Sequence, residues 1–167
     1  MGKNKLQAEL GINKEKAEGL FRQYHSRVPF VKQLMDNVMQ RAQSRGRIRT
    51  LLGRLCRFHL WEPNQFGIHK PLPHDAALEE HGPGIKRAYT YKALNRLIQG
   101  SAADMTKKSM IELYKEGITP HIQVHDELDI SVDNNADKIK EIMESAVDLE
   151  VPNKVDYESG PNWGTIK

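Results

Sequence analysis

The segment IQVHDELDISV, residues 122–132, sets three ionisable side chains, His125, Asp126 and Glu127, inside a run of residues that favour β structure. Its apolar residues Ile122, Val124, Leu128, Ile130 and Val132 all fall at even positions, and Asp126 shares their parity. In a hairpin, residues paired across the strands face the same side. A two-residue turn at Asp126-Glu127 would pair Val124 with Asp129 and mix the faces, whereas a three-residue turn, His125 to Glu127, pairs Val124 with Leu128 and Ile122 with Ile130. The expected register therefore puts acid at the apex of a tight hairpin. No Asn-Gly or similar signal favours a turn there, so its conformational cost points to a functional site. Asp and Glu are also common in turns, which leaves a plain surface turn or a single strand as the bland alternative.

Two other groups could do chemistry. Arg41, Arg45, Arg47, Arg49, Arg54 and Arg57 are interspersed with apolar residues. They suit an anionic backbone, where neutralising phosphates and releasing counterions gives affinity without sequence preference, or a solvated edge that deters strand pairing. His69, His74, Asp75 and His81 suggest zinc, but their spacing fits no known template and they lie in a Pro-rich stretch.

Elements must position these groups. Asn13 is the expected N-cap of a helix through about His25, with Ala17, Leu20, Phe21 and Tyr24 at helical spacing. Pro29 suits the first turn of a second helix, which carries Phe30, Val31, Leu34, Val38 and Met39 and stops at Gly46. RIRTLLGRLCRF reads as a hairpin turning at Leu52-Gly53. Pro63, Pro71, Pro73 and Pro83 make residues 62–85 an expected long loop or lid. A helical pattern runs from Lys86 to about Lys115 and puts Asn95 and Gln99, four apart, on one face. The acidic hairpin follows, then a helix from about Asn135 to Val147 and an irregular tail ending GPNWGTIK.

A chain of 167 residues fits one domain or a piece of a larger one. With 28% charged and 38% hydrophobic residues it belongs with globular rather than disordered chains. The net charge of +3 permits an anionic partner without demanding one. A lone cysteine, Cys56, cannot close an internal disulfide, and no apolar stretch reaches membrane-spanning length. The expected setting is cytoplasmic, with no membrane partner.

Four segments then stand in an informative order: TLLGR (50–54), KALNRLIQGSAADMTKKSM (92–110), QVHDEL (123–128) and SGPNW (159–163). Together they resemble the C-terminal part of family A, DNA polymerase I-like, DNA polymerases, including their phage relatives. TLLGR is similar to the family's T-L-x-G-R hairpin, QVHDEL to its motif C, the long segment to the helix before motif C, and SGPNW to its C-terminal ending.

The resemblance implies addition of deoxynucleoside triphosphates (dNTPs) to a primer 3′-hydroxyl by two-metal phosphoryl transfer, with Mg²⁺ held by hard carboxylate oxygens. Asp126 matches the metal ligand. Glu127 matches the adjacent acid, with an electrostatic rather than coordinating role, and His125 the residue that approaches the primer-terminal backbone. Asn95 and Gln99 match a minor-groove reader: their amides can donate to purine N3 and pyrimidine O2 whatever the base pair. Arg54 matches the hairpin arginine, with Arg47 and Arg49 beside it as DNA-backbone contacts. Tyr91 stands where the family often has Arg, so no primer-strand contact is carried over there.

The resemblance also implies an α+β fold: a partial palm whose HDE hairpin packs on long helices, plus the end of the fingers. Residues 1–45 would be the helical end of the fingers. Residues 46–167 would be the palm portion: a basic hairpin (46–60), a loop insertion (62–85), a DNA-reading helix (86–115), the motif C hairpin (120–133) and a C-terminal helix and tail (135–167). The family's D-Y-S-x-I-E aspartate has no counterpart here, and Met1-Gly2 aligns just after the fingers Tyr-Gly. The expected function is thus the C-terminal part of a split, phage-type polymerase that works on primer-template DNA and dNTP with a separate N-terminal polypeptide carrying motifs A and B. On its own the chain is expected to be inactive. The alternatives are a non-catalytic DNA-binding module and an inactive remnant of an interrupted polymerase gene.

Overall fold

The computed structural model describes residues 3–166. Met1-Gly2, expected to align just after the fingers Tyr-Gly, falls outside them, as does Lys167. Among the described residues no helix is long and apolar enough to cross a membrane. The fold is α+β, as expected, and divides into two compact units, one running through Ile48 and resuming over Arg57–Leu94, the other comprising Arg49–Cys56 and Asn95 onward.

The first unit begins with helices α1 (Lys3–Leu10), α2 (Lys14–Arg27) and α3 (Pro29–Arg45). Asn13 caps α2 as its sequence position predicts, its side chain accepting the Lys16 amide at 2.9 Å. Pro29 opens α3, and Gly46 ends it in the left-handed conformation at φ 64°. The positive φ favours glycine at that position. A Cβ there would also lie 2.7 Å from the Arg87 guanidinium, which donates to the carbonyls of Gln43 and Phe58 and stacks over Trp61 at 4.5 Å. Ala17, Val38, Ala42, Ile48, Phe58, Ala77 and Ala88 form a buried core of mostly small side chains.

Residues 62–85 are not the long loop that their prolines suggest. They hold most of a three-stranded sheet, ordered β4-β3-β5, and a helix: β3 (Leu60–Pro63), β4 (Leu72–Pro73), α4 (His74–His81) and β5 (Ile85–Arg87). Trp61 pairs with Leu72 on one side and Arg87 on the other. Prolines are tolerated because Pro63 and Pro73 sit at strand ends, where a missing donor interrupts no central ladder. Lys86 accordingly lies in β5 and not at the head of a helix; the next helix starts at Ala93, after a 3₁₀ turn over Thr90–Lys92.

Chain reversal between β1 (Arg47–Arg49) and β2 (Leu55–Arg57) follows the expected hairpin. Its tip belongs to the second unit, which also holds most of α5 (Ala93–Lys115), β6 (Ile122–Val124), β7 (Glu127–Asp129) and α6 (Ala136–Ser145). Thr50, Asp104, Ser109, Leu113 and Ile139 are its buried residues. Lys138 of α6 pairs with Glu116 just beyond α5 at 2.7 Å. The tail is fastened to α6 by the Val155 amide on Glu144 Oε1 at 3.0 Å.

Candidate functional site

The acidic hairpin forms, with a register different from the expected one. Ile122 pairs with Asp129, Gln123 with Leu128 and Val124 with Glu127, so the turn has two residues, His125 and Asp126, and Glu127 opens β7. Val124 and Leu128 therefore face opposite sides. Apolar parity fixes a register where one face of the hairpin is buried. Here neither face is buried: Ile122 is 44% exposed and every residue of both strands is exposed or half-buried, so the apolar pattern does not dictate register. The first turn residue of such a hairpin needs positive φ, and His125 supplies it at 52°. The Gln123 side-chain amide donates to the His125 carbonyl and braces the turn.

His125, Asp126 and Glu127 are all exposed at this tip. Two adjacent carboxylates of this kind are hard oxygen donors, and Asp126, in the turn itself, fits a role as one ligand to a divalent cation. Among the described residues no group of three or more His, Cys, Asp or Glu is arranged to hold a metal. The histidines of the first unit make other contacts: His74 bonds its neighbour Asp75 at 2.9 Å, and the His69 and His81 rings lie edge to face at 6.3 Å.

On α5, Asn95 and Gln99 are both exposed, one turn apart on the same side of the helix. Arg47 and Arg49 point outward on either side of buried Ile48 in β1, and Arg49 Nη1 donates to the Gly53 carbonyl at 2.7 Å. Tyr91 is 64% exposed.

Arg54 turns its guanidinium onto α5. Its Nε donates to Asp104 Oδ1 at 2.6 Å and its Nη2 to the Gly100 carbonyl at 2.8 Å. Thr50 completes the arrangement: its hydroxyl donates to Asp104 Oδ2, and it accepts the Arg54 amide at 3.0 Å. The Leu51 amide donates to Ser101 Oγ at 2.9 Å, while the Ser101 hydroxyl donates to the Leu97 carbonyl at 2.7 Å. Gly100 allows the approach, since a Cβ there would lie 2.9 Å from Thr50 Cγ2. Burial pushes the Asp104 carboxyl pKa up. The hydrogen bonds from Thr50 and Arg54, the Arg54 charge and Lys107 reverse this and hold it below the ordinary aspartate value.

TLLGR and QGSAAD thus meet through Thr50, Arg54, Gly100, Ser101 and Asp104. Nothing within either segment marks the other as its partner. The available signal was an acid within a helix whose neighbours are small, paired with an arginine in a hairpin; their sequence separation of fifty residues concealed the partnership.

A family model described as DNA polymerase family A matches residues 1–165. A DNA-directed DNA polymerase of Pseudomonas phage M6 is 38% identical over 149 residues, 88% of this chain and 19% of that protein. DNA polymerase I of Geobacillus stearothermophilus is 34% identical over 173 residues, 97% of this chain and 18% of that protein. The chain therefore spans about a fifth of the length of these curated relatives. Among solved structures, the POL domain of Pol1 from M. smegmatis, in complex with DNA primer-template and dNTP, is similar with a TM-score of 0.64 and 27% identity over 90% of this chain and 26% of that one.

Proposed function

The chain belongs to DNA polymerase family A, and we propose that it supplies the C-terminal portion of the active site of a DNA-directed DNA polymerase, completed by polymerase segments that carry motifs A and B. The observation that carries this reading is the β6–β7 tip, where Asp126 and Glu127 are presented to solvent directly after His125, whose backbone is left-handed at φ 52°. An exposed acidic turn has little value to folding, since it buries nothing and costs backbone strain.

In this reading Asp126 is a ligand for Mg²⁺ and Glu127 adds negative charge beside it. Bound Mg²⁺ would lower the pKa of the attacking hydroxyl and neutralise charge on the phosphates. The chain's own residues position the DNA. His125 approaches the primer-terminal backbone. Asn95 and Gln99 donate to minor-groove acceptors that every correct base pair offers, which tests pair geometry without preferring a base. Arg47 and Arg49 neutralise template or primer phosphates.

The experiment is primer extension by the chain mixed with a polypeptide that carries motifs A and B, with dNTP and Mg²⁺ present. Extension is expected from the mixture and from neither part alone, and Asp126→Ala should abolish it. Extension that is indifferent to Asp126→Ala would sink the proposal. Binding of primer-template DNA with no extension under any pairing would favour a non-catalytic DNA-binding module.

A further inference from the structure

We infer that Arg54, with Asp104 and Thr50, is a latch that sets the placement of α5, so that Arg54 acts on DNA through Asn95 and Gln99 and not by touching a phosphate. The inference rests on the proposed reading of Asn95 and Gln99 as the DNA-facing residues.

Helix geometry separates the two groups. Asp104 follows Asn95 by nine residues, about two and a half turns at ~3.6 residues per turn, which places it on the opposite side of the helix. Gly100 and Ser101 lie within about 60° of the Asp104 direction and Gln99 within about 40° of Asn95. Every hydrogen bond from Thr50, Leu51 and Arg54 to α5 thus falls on the back of the helix, while Asn95 and Gln99 stand exposed on the front.

Energetics argue against Arg54 leaving this arrangement for a phosphate. Its side chain is half exposed, so solvent reaches it, but the Asp104 side chain is only 7% exposed. Withdrawing the guanidinium would leave a buried carboxylate with Thr50 as its remaining strong donor, and an unpaired buried charge is far costlier than a surface ion pair is valuable. The planar fork also bridges two acceptors, Asp104 and the Gly100 carbonyl, which a lysine could not reproduce.

The experiment measures binding of a labelled primer-template duplex to the full chain across a range of salt concentrations, at a temperature where circular dichroism shows each variant folded. Arg54→Ala and Asp104→Ala should each weaken binding about tenfold, with the double variant no weaker than either single one. The salt slope should stay that of the parent, Arg54→Lys should fail to restore affinity, and the Arg54→Ala effect should vanish in an Asn95→Ala/Gln99→Ala background. A loss of general stability alone would not give that last result. The inference is overturned if Arg54→Ala reduces the salt slope by about one, as loss of a phosphate contact would, while Asp104→Ala leaves binding intact. If the parent chain binds no DNA, the functional reading fails first, and amide hydrogen exchange decides the latch: Arg54→Ala and Asp104→Ala must speed exchange at the same α5 amides between residues 95 and 104. Unchanged protection there overturns it.

Discussion

Arg54 Nε lies 2.6 Å from Asp104 Oδ1 across fifty residues of sequence, and a single carboxylate thereby joins the TLLGR hairpin to the long helix. Because the folded-state pKa of Asp104 is depressed, the unfolded chain binds its proton more readily. The resulting stabilisation is fully present above the ordinary aspartate pKa, about 3.9. It is lost as pH falls below that value through the folded-state pKa. Urea midpoints measured from pH 7 down to pH 3 should therefore fall most steeply below about pH 4, and Asp104→Asn should flatten that part of the profile. An unaltered profile in the variant would assign the acid sensitivity to other carboxylates.

Two glycines within helices should respond oppositely to alanine. Around Gly19 of α2 a Cβ would meet nothing within 4 Å, so Gly19→Ala should stabilise by about 0.5–1 kcal/mol through helix propensity alone. At Gly100 the new Cβ would press on Thr50 Cγ2, and Thr50 cannot step aside: it is buried, β-branched and bonded to Asp104 and Arg54. Overpacking of roughly 1–3 kcal/mol should exceed the propensity gain, giving net destabilisation of about 1 kcal/mol in denaturant unfolding. Stabilisation by Gly100→Ala would show that the hairpin can move off the helix without cost.

Local signals were legible where a single residue decides an end. Asn13, Pro29 and Gly46 bound two helices by capping chemistry that acts within one turn, and Gly53 permits the reversal of the basic hairpin with φ 86°. The location of Asp126 at a turn was legible too. What failed depended on partners far along the chain. The two residues of β4 and eight of α4 are too short to show periodicity, so only pairing with β3 makes residues 62–85 regular. The β6–β7 register could not be derived from parity because neither face is buried among the described residues. Asp104 remained unassigned because its partners are supplied by another hairpin.

The turn at His125 offers a separation of stability from function. A non-glycine residue in the left-handed region costs about 1–2 kcal/mol, of which glycine recovers part after its own loss of chain entropy. His125→Gly should therefore raise stability by about 0.5–1 kcal/mol in a urea titration. If the imidazole contacts the primer terminus, the same variant should slow primer extension by the completed enzyme. A variant that is more stable and equally active would remove His125 from the site and leave it a turn residue.

Salt dependence distinguishes the remaining candidate DNA residues by the kind of contact they make. A side chain that neutralises a phosphate displaces a counterion, and its removal should lower the slope of log K against log salt by about 0.9 for duplex DNA. Arg47→Ala and Arg49→Ala should each do this, and should weaken binding almost equally for primer-templates of any sequence, since phosphates carry no sequence information. Asn95→Ala and Gln99→Ala remove uncharged donors, so the slope should hold while affinity falls. The fall should be similar for A·T and G·C primer ends, because the N3 and O2 acceptors are common to both. Titrating a labelled duplex with each variant at several salt concentrations reads both quantities. If the amide variants lowered the slope, or the arginine variants left it unchanged, the division into phosphate-contacting strand β1 and groove-reading helix α5 would be wrong.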